Sequence, residues 1–410
     1  MSTTPTSPKP VNVAGRLTAM AETMPDAIAV VEPLAYVPFG IGRRGHGLVT
    51  FLPSDRPRSA SGYQDPVVQH YRQVTFRELD QDSDRIAAGL RSLGVRPGTR
   101  LALLVRPGID FISLVFAMFK VGAVVILIDP GMGRRNLIRC LAEAEPEGFV
   151  AVPFAHAVRM FVARRFPKGR FNVTVGRRLF WGGVTLRQLR AGPHHSIELA
   201  AMTADHPAAI IFTTGSTGPP KGVLYTHGNF DAQVDQIRDF YGIKPGEVDL
   251  PCFPLFGLFN CAMGVTAVIP HMDSSRPARV RPQRIVRSIQ DWKATQTFGS
   301  PAIWNRVGRY CREHKIQLRT VGRVLSAGAP VPADVLERMK ACIHPQGEVH
   351  TPYGATEALP VASIAASEVL DQTAARTGAG AGVCVGKRFP GIEWKIVRIV
   401  DGPIRRLREA

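Results

Sequence analysis

The chain has 410 residues, 45% hydrophobic and 20% charged, an ordinary globular composition with enough apolar material for two or three packed subdomains. No apolar run reaches the ~20 residues of a membrane-spanning helix, and the Pro-, Ser- and Thr-rich first ten residues lack the apolar segment of a secretory leader, so a cytoplasmic protein is expected. The formal net charge is +18; no zinc-finger spacing or aromatic RNA-binding signature accompanies it, which argues against a nucleic-acid reader and leaves anionic small molecules, a peripheral membrane surface or a pathway enzyme as its partners.

Residues 1–10 read as a loose tail, and the Gly-, Pro- and Arg-dense stretch from about Ala35 to Val68 as an irregular surface loop. The pattern then sharpens. Val74 to Leu79 leads into a helix with Ile86, Leu90 and Leu93 on one face, stopped at Gly94 with Pro97-Gly98 beyond. Leu101 to Val105 has the short apolar run of a doubly buried parallel strand. A helix from Phe111 to Phe119 and a second buried strand from Val121 to Ile128, ending at Asp129-Pro130, complete a βαβ unit. The rhythm returns at Ala208 to Phe212, in a helix around Asp231 to Phe240, and at Val324 to Ser326. No short repeat of fixed period runs through it. The fold class is α/β.

Two stretches concentrate the positive charge. Arg159, Arg164, Arg165, Lys168, Arg170, Arg177 and Arg178 make one, and Arg398, Arg405, Arg406 and Arg408 the other. Charge runs of this kind are ordinarily solvated surface. Six cysteines are scattered with no Cys-x-x-Cys pair, so reduced, mostly buried thiols are expected.

The segment from Ile211 to Val223 carries the most chemistry. A buried strand runs into Thr213-Thr214-Gly215-Ser216-Thr217-Gly218-Pro219-Pro220-Lys221-Gly222. Glycines let a backbone approach phosphate closely, hydroxyls and exposed N–H groups donate to it, and a lysine adds a compact positive charge. Three other motifs fail by position. A P-loop needs Gly-Lys-Ser/Thr, whereas Pro220 and Gly222 flank Lys221. A nucleophile elbow needs Gly where Thr214 stands. The run from Gly378 to Val383 misses the dinucleotide fingerprint because Val383 takes its last Gly place.

Thr213 to Val223 resembles the signature loop of the AMP-forming acyl-adenylate superfamily, the AMP-dependent synthetases and ligases that include acyl-CoA synthetases, peptide-synthetase adenylation domains and luciferases. Phe119 to Ala123, running on to Asp129-Pro130, is similar to the family's second core motif. Ser326-Ala327-Gly328-Ala329-Pro330 resembles its adenine-side segment, and Tyr353-Gly354-Ala355-Thr356-Glu357 the motif at its active-site centre. Val385-Gly386 with Pro390-Gly391 resembles the next one along. The resemblance implies the family's N-terminal AMP-binding domain, with βαβ-rich subdomains and mainly parallel sheets. It divides the chain into 1–200, a first α/β subdomain with a loose tail; 201–350, a second with the phosphate loop; and 351–410, the adenylate-site motif and the start of a β-rich subdomain.

The chemistry so implied is attack of a carboxylate on the α-phosphate of ATP, giving an acyl-adenylate and pyrophosphate, a step that needs mainly positioning and neutralised charge. By resemblance Thr213, Thr214, Ser216, Thr217 and Lys221 cradle the β- and γ-phosphates, with Gly215 and Gly218 admitting the backbone. Thr356 contacts the α-phosphate, and Glu357 holds Mg²⁺, a hard cation suited to carboxylate oxygen. Gly328, Ala329, Pro330, Tyr353 and Gly354 line the adenine, Tyr353 by stacking. Lys221, Thr356 and Glu357 are thus the catalytic candidates, with ATP/AMP and Mg²⁺ as cofactors.

On the acyl side, Phe253-Pro254-Leu255-Phe256-Gly257-Leu258-Phe259 matches the segment where many members place a histidine after Pro-Leu-Phe; here Gly257 stands instead, which is expected to open room or free the backbone near the carboxylate. Phe256, Gly257, Phe259, Phe298 and Gly299 are the substrate candidates, in apolar surroundings that suit a lipid tail. That segment, together with Ile269 to Ala278 and Phe298 to Trp304, is similar to the β-lactone synthetases of long-chain olefin biosynthesis. Those enzymes adenylate a 2-alkyl-3-hydroxy acid whose own hydroxyl then displaces AMP. A long-chain acyl-CoA ligase shares the adenylation half and stays open, as does a non-catalytic nucleotide-binding fragment. The chain ends at Ala410, and the family's ribose-gripping aspartate, hinge and small C-terminal domain with its catalytic lysine are expected beyond that point and absent here.

Overall fold

The computed structural model describes residues 11–34, 49–50, 70–192, 196–213 and 220–397. Two sheets dominate. The smaller, of seven strands, has the order Lys221–Thr226, Pro207–Thr213, Val124–Leu127, Arg100–Leu104, Gly148–Ala151, Phe171–Thr174, Val184–Thr185. Every pairing is parallel except that of the edge strand Lys221–Thr226. The larger, of ten, has six parallel strands at its centre: Glu348–Ala355, Arg323–Ser326, Gln296–Gly299, Val248–Pro251, Thr266–Val268 and Ile28–Pro33. Antiparallel strands flank them, Ala358–Ala365 and Lys387–Arg388 on one side and Tyr71–Thr75 and Val49–Thr50 on the other. The α/β class and the mainly parallel sheets are as expected.

Sheet membership crosses the division drawn at residue 200. Ile28–Pro33 and Tyr71–Thr75 lie in the larger sheet, whereas Pro207–Thr213 and Lys221–Thr226 close the smaller one. The strands after residue 351 extend the larger sheet. Hydrogen bonding to a neighbouring strand, not proximity in the chain, decides which sheet a strand joins.

Helices Phe76–Ser92, Ile109–Lys120, His227–Tyr241 and Pro254–Ala262 share one core with residues of both sheets, including Leu101, Val125 and Ala209 from the smaller and Val30, Phe298 and Leu325 from the larger. Ile109–Lys120 is buried at all but one position, as a helix enclosed on all sides must be. Even its final residue is enclosed. Lys120 Nζ donates to Asp80 Oδ1 at 2.7 Å and Asp84 Oδ1 at 2.6 Å, both on Phe76–Ser92. Losing one side of such a buried pair typically costs ~3–5 kcal/mol.

Local sequence explains the ends. Thr75 and Glu78 form a reciprocal capping box at the start of Phe76–Ser92, and Gly94 takes φ +97° just beyond its end. The strand expected over 121–128 shortens to Val124–Leu127, because Gly122 turns the chain at φ +72° before it can begin. Cys140, Cys252, Cys261, Cys311 and Cys342 are buried free thiols and Cys384 an exposed one. Among the described residues no helix is long and apolar enough to cross a membrane.

Candidate active site

The parallel strands of the larger sheet end side by side, and the motifs follow their carboxyl ends, the position where open α/β sheets form ligand crevices. Phe253 follows Val248–Pro251, Ser300 follows Gln296–Gly299, and Ala327 to Pro330 follow Arg323–Ser326. Register pairs Pro251 with Phe298 and Gly299 with Ser326. The backbone N–H of Cys252 donates to the Phe298 carbonyl at 2.7 Å, and that of Ala327 to the Gly299 carbonyl at 3.1 Å. These bonds carry the three strand ends into one rim.

The phosphate candidates sit on the edge of the smaller sheet. Pro207–Thr213 and Lys221–Thr226 pair antiparallel, with Lys221 opposite Thr213. Lys221 is exposed. Thr214, Gly215, Ser216, Thr217 and Gly218 lie outside the described residues.

Thr356 and Glu357 form the two-residue turn joining Glu348–Ala355 to Ala358–Ala365, with Ala355 opposite Ala358. Gly354 stands where the register shifts; a Cβ there would lie 2.9 Å from the Ala358 carbonyl oxygen, so the turn has no space for a side chain. Tyr353 keeps 53% of its surface exposed, leaving its ring free to stack. Gly328 takes φ +92°, a conformation that favours glycine, and Ala329 and Pro330 are exposed beside it.

The strand Lys221–Thr226 and the helix His227–Tyr241 that follows it hold this turn and the strand after it. The Tyr225 hydroxyl donates to the Thr356 carbonyl at 2.5 Å, Gln233 Nε2 to the Leu359 carbonyl at 2.8 Å, and the Tyr241 hydroxyl to Ser363 Oγ at 3.0 Å. Burial pushes the Tyr225 phenol above its ordinary range, and the Glu357 carboxylate raises it further against a bond from Gln233. It therefore remains a neutral donor.

The acyl candidates divide. The Phe256 and Phe298 rings stack with centroids 3.6 Å apart, bridging Pro254–Ala262 and the strand Gln296–Gly299. Gly299 is required: a Cβ there would lie 2.8 Å from the buried Trp304 indole. Phe259 belongs to the core. With Phe116, Phe119, Phe230, Val234 and Leu258 it lines an apolar cavity of about 20 Å³, roughly the space of a single water. Gly257 is a correction. It does not open room, because a Cβ there would lie 3.3 Å from Ile112 Cδ1 and 3.9 Å from Ala267 and Ile269. Its small size instead lets Pro254–Ala262 lie close against the core.

Beneath this helix Asp249 is fully enclosed. Its Oδ2 accepts from Asn260 Nδ2 at 2.6 Å, and its Oδ1 has no hydrogen-bond partner. Burial pushes this carboxyl up to about 7.

Residues 57–405 match the family described as AMP-binding enzyme. The chain belongs to that family. It is 44% identical over 397 residues to an olefin beta-lactone synthetase of Stenotrophomonas maltophilia, covering 97% of this chain and 66% of that one. It is 41% identical over 394 residues to an olefin beta-lactone synthetase of Xanthomonas campestris, covering 96% and 65%. The chain thus spans just under two-thirds of the length of these two relatives. Among solved structures, a putative long-chain-fatty-acid CoA ligase from Rhodopseudomonas palustris superposes with a TM-score of 0.71 at 18% identity, covering 96% of this chain and 84% of that one. At that identity the likeness concerns the fold.

Within this AMP-binding enzyme, sequence reasoning missed the positioning residues Tyr225, Gln233, Tyr241 and Asp249. One signal was available: Gln233 is a polar side chain on the helix face that also carries Phe230, Val234, Ile237 and Tyr241, all of them buried. Glu357 is exposed and makes no ion pair or hydrogen bond among the described residues. Those residues hold no cluster of three or more acidic, histidine or cysteine groups for a metal. Mg²⁺ usually takes only one or two carboxylates, with waters and substrate phosphates completing its shell, so an open carboxylate at the rim fits the ion.

Proposed function

We propose that this chain adenylates a long-chain carboxylic acid with ATP, and that the acid is a 2-alkyl-3-hydroxy acid closed to a β-lactone. The observation that carries the reading is the convergence, on one rim, of the Tyr353–Glu357 turn, the Gly328–Pro330 segment and the Phe256–Phe298 ring pair, with Tyr225 bonding the phosphate hairpin to that turn. The 41–44% identity to olefin beta-lactone synthetases supports the choice of acid.

In this reading Lys221, with the Thr213–Gly218 segment, holds the β- and γ-phosphates, where charged hydrogen bonds contribute ~1.5–3 kcal/mol each. Tyr353 stacks on adenine beside Gly328, Ala329, Pro330 and Gly354, and Thr356 meets the α-phosphate. Glu357 would hold Mg²⁺, which when bound supplies positive charge to the phosphates. The acid lies against Phe256, Phe298 and Gly299. A carboxylate oxygen bonds to the α-phosphorus as the bond to pyrophosphate breaks. The 3-hydroxyl oxygen then bonds to the acyl carbon, a proton is released, and AMP departs. Binding a long tail requires the Phe259 cavity to widen well beyond its about 20 Å³.

The test is incubation of the chain with ATP, Mg²⁺ and a long-chain 2-alkyl-3-hydroxy acid, following pyrophosphate and AMP and resolving the acyl product by mass spectrometry. Lactone without added CoA is the expected product. A thioester formed only with CoA would replace the lactone reading by a ligase one, and absence of pyrophosphate under both conditions would remove adenylation by this chain.

A further inference from the structure

Helix Pro153–Phe161 carries its apolar stripe on the outside. Phe154, Val158 and Phe161 fall at i, i+4 and i+7 on one face, and Phe154 is 70% and Phe161 92% exposed. The inward residue is a histidine instead. His156 is fully buried, with Nε2 3.0 Å from the Val173 carbonyl oxygen. Its ring stacks on Trp181 at 5.7 Å, which draws the segment after Phe171–Thr174 against the helix. The neighbour of Trp181 on that segment, Phe180, is 76% exposed, and Leu179 is exposed beside it.

The charge along this stretch of chain is one-signed. From Gly148 to Ile197 there are nine Lys and Arg and no Asp or Glu. Lys168 and Arg170 are neutralised by Glu145 and Glu147. Arg164, Arg165, Arg177 and Arg187 are exposed and make no ion pair among the described residues. Exposed aromatic rings on the same stretch of chain as exposed arginines without ion pairs match a surface with anionic headgroups over an apolar interior.

We propose that this face docks on an anionic lipid bilayer, with Phe154, Phe161 and Phe180 entering the acyl boundary and Arg164, Arg165 and Arg177 meeting lipid phosphates. Both elements follow the carboxyl ends of their strands, the end of the smaller sheet at which Thr213 also lies. Gly148–Ala151 stands three strands from Pro207–Thr213, roughly 14 Å at the usual strand spacing. Docking would therefore turn the end of the smaller sheet that carries Thr213 toward the lipid. The docking itself does not rest on the proposed reaction.

The test is flotation of the chain with vesicles of phosphatidylcholine alone and of phosphatidylcholine with an equal share of phosphatidylglycerol, at low and at raised salt. Binding is expected to be at least about tenfold tighter to the anionic vesicles and to weaken as salt screens the arginines. Phe161→Ser with Phe180→Ser, and separately Arg164→Glu with Arg165→Glu, should each weaken it about tenfold or more with unchanged melting, since all four side chains are exposed. Arg312→Glu with Arg319→Glu, an equal charge change elsewhere on the exposed surface, should leave binding within about twofold. The proposal is overturned if the phenylalanine pair is dispensable, if the remote reversal weakens binding equally, or if anionic vesicles are not preferred. It is also overturned if the patch proves to be a contact between two copies, with the phenylalanine substitutions dissociating a dimer and leaving vesicle binding intact.

Discussion

The Tyr225 hydroxyl and the Thr356 carbonyl oxygen, 131 positions apart in sequence, meet at 2.5 Å. Tyr225 lies on the antiparallel edge strand of the smaller sheet and Thr356 on the turn of a hairpin in the larger. One hydrogen bond therefore joins the strand that begins with Lys221 directly to the turn that carries Glu357, beside the bonds from Gln233 and Tyr241 to the strand that follows the turn.

Removing that hydroxyl should uncouple position from stability. Tyr225→Phe forfeits one hydrogen bond, about 0.5–1.5 kcal/mol of folding free energy. The Thr356 turn then loses its one direct bond to that strand, while the bonds from Gln233 and Tyr241 hold only the strand beyond it, and misplacement of reacting groups by about an ångström can cost ~10²-fold in rate. ATP–pyrophosphate exchange is expected to fall at least tenfold with the denaturant midpoint nearly unchanged. Equal exchange in the variant and the parent would show that this bond positions nothing.

Lys221→Ala should weaken ATP binding by about 1.5–3 kcal/mol, roughly 10- to 150-fold in Kd. Lys221 is exposed at the mouth of the hairpin, so the fold should survive the change. Ser216→Ala, in the segment between the paired strands, should act in the same direction. Calorimetric titration with ATP and Mg²⁺ reads both, and an unaltered Kd in Lys221→Ala would remove the phosphate role.

Local chemistry was legible, and placement less so. The helix that Val74 to Leu79 lead into, its stop at Gly94 and the short apolar strands are local signals that the structure repeats. The side a residue faces is not local. Periodicity groups Phe154, Val158 and Phe161, yet only packing around His156 turns that face outward. Gly257 reads in sequence as space near the substrate, but Ile112, from a helix about 140 residues earlier, fills it. Strand pairing is non-local in the same way, and brings Ile28–Pro33 beside Thr266–Val268 across residue 200.

Gly299→Ala should be costly although it adds one methyl. The new Cβ would stand 2.8 Å from the Trp304 ring, and the indole cannot retreat because it is fully buried. Overpacking of this kind typically costs ~1–3 kcal/mol. The Gly299 carbonyl also receives the Ala327 N–H, so the strain should reach Gly328 to Pro330, the segment proposed to line the adenine. Both a lower denaturant midpoint and a weaker affinity for AMP are expected. A midpoint equal to that of the parent would mean the strand end relaxes freely.

Asp249 sets a pH dependence whose sign is fixed by its burial. The carboxyl is pushed from an ordinary 3.8 up to about 7, so the folded chain keeps a proton that the unfolded chain has lost. Its contribution to stability is fully present below pH ~4 and is lost as pH rises through about 7, because in that interval unfolding releases a proton. The shift corresponds to at most ~4 kcal/mol. Asp249→Asn cannot ionise, and its side-chain oxygen can still accept from Asn260, whose helix carries Phe256. The stability of the variant relative to the parent should therefore climb between pH 4 and 7 and level off above. Urea midpoints of both proteins across pH 4–8 measure this, the difference cancelling the titration of the other groups. A difference that stays constant across the range would mean that Asp249 is ionised in the folded chain, its charge balanced by Asn260 and the sheet around it.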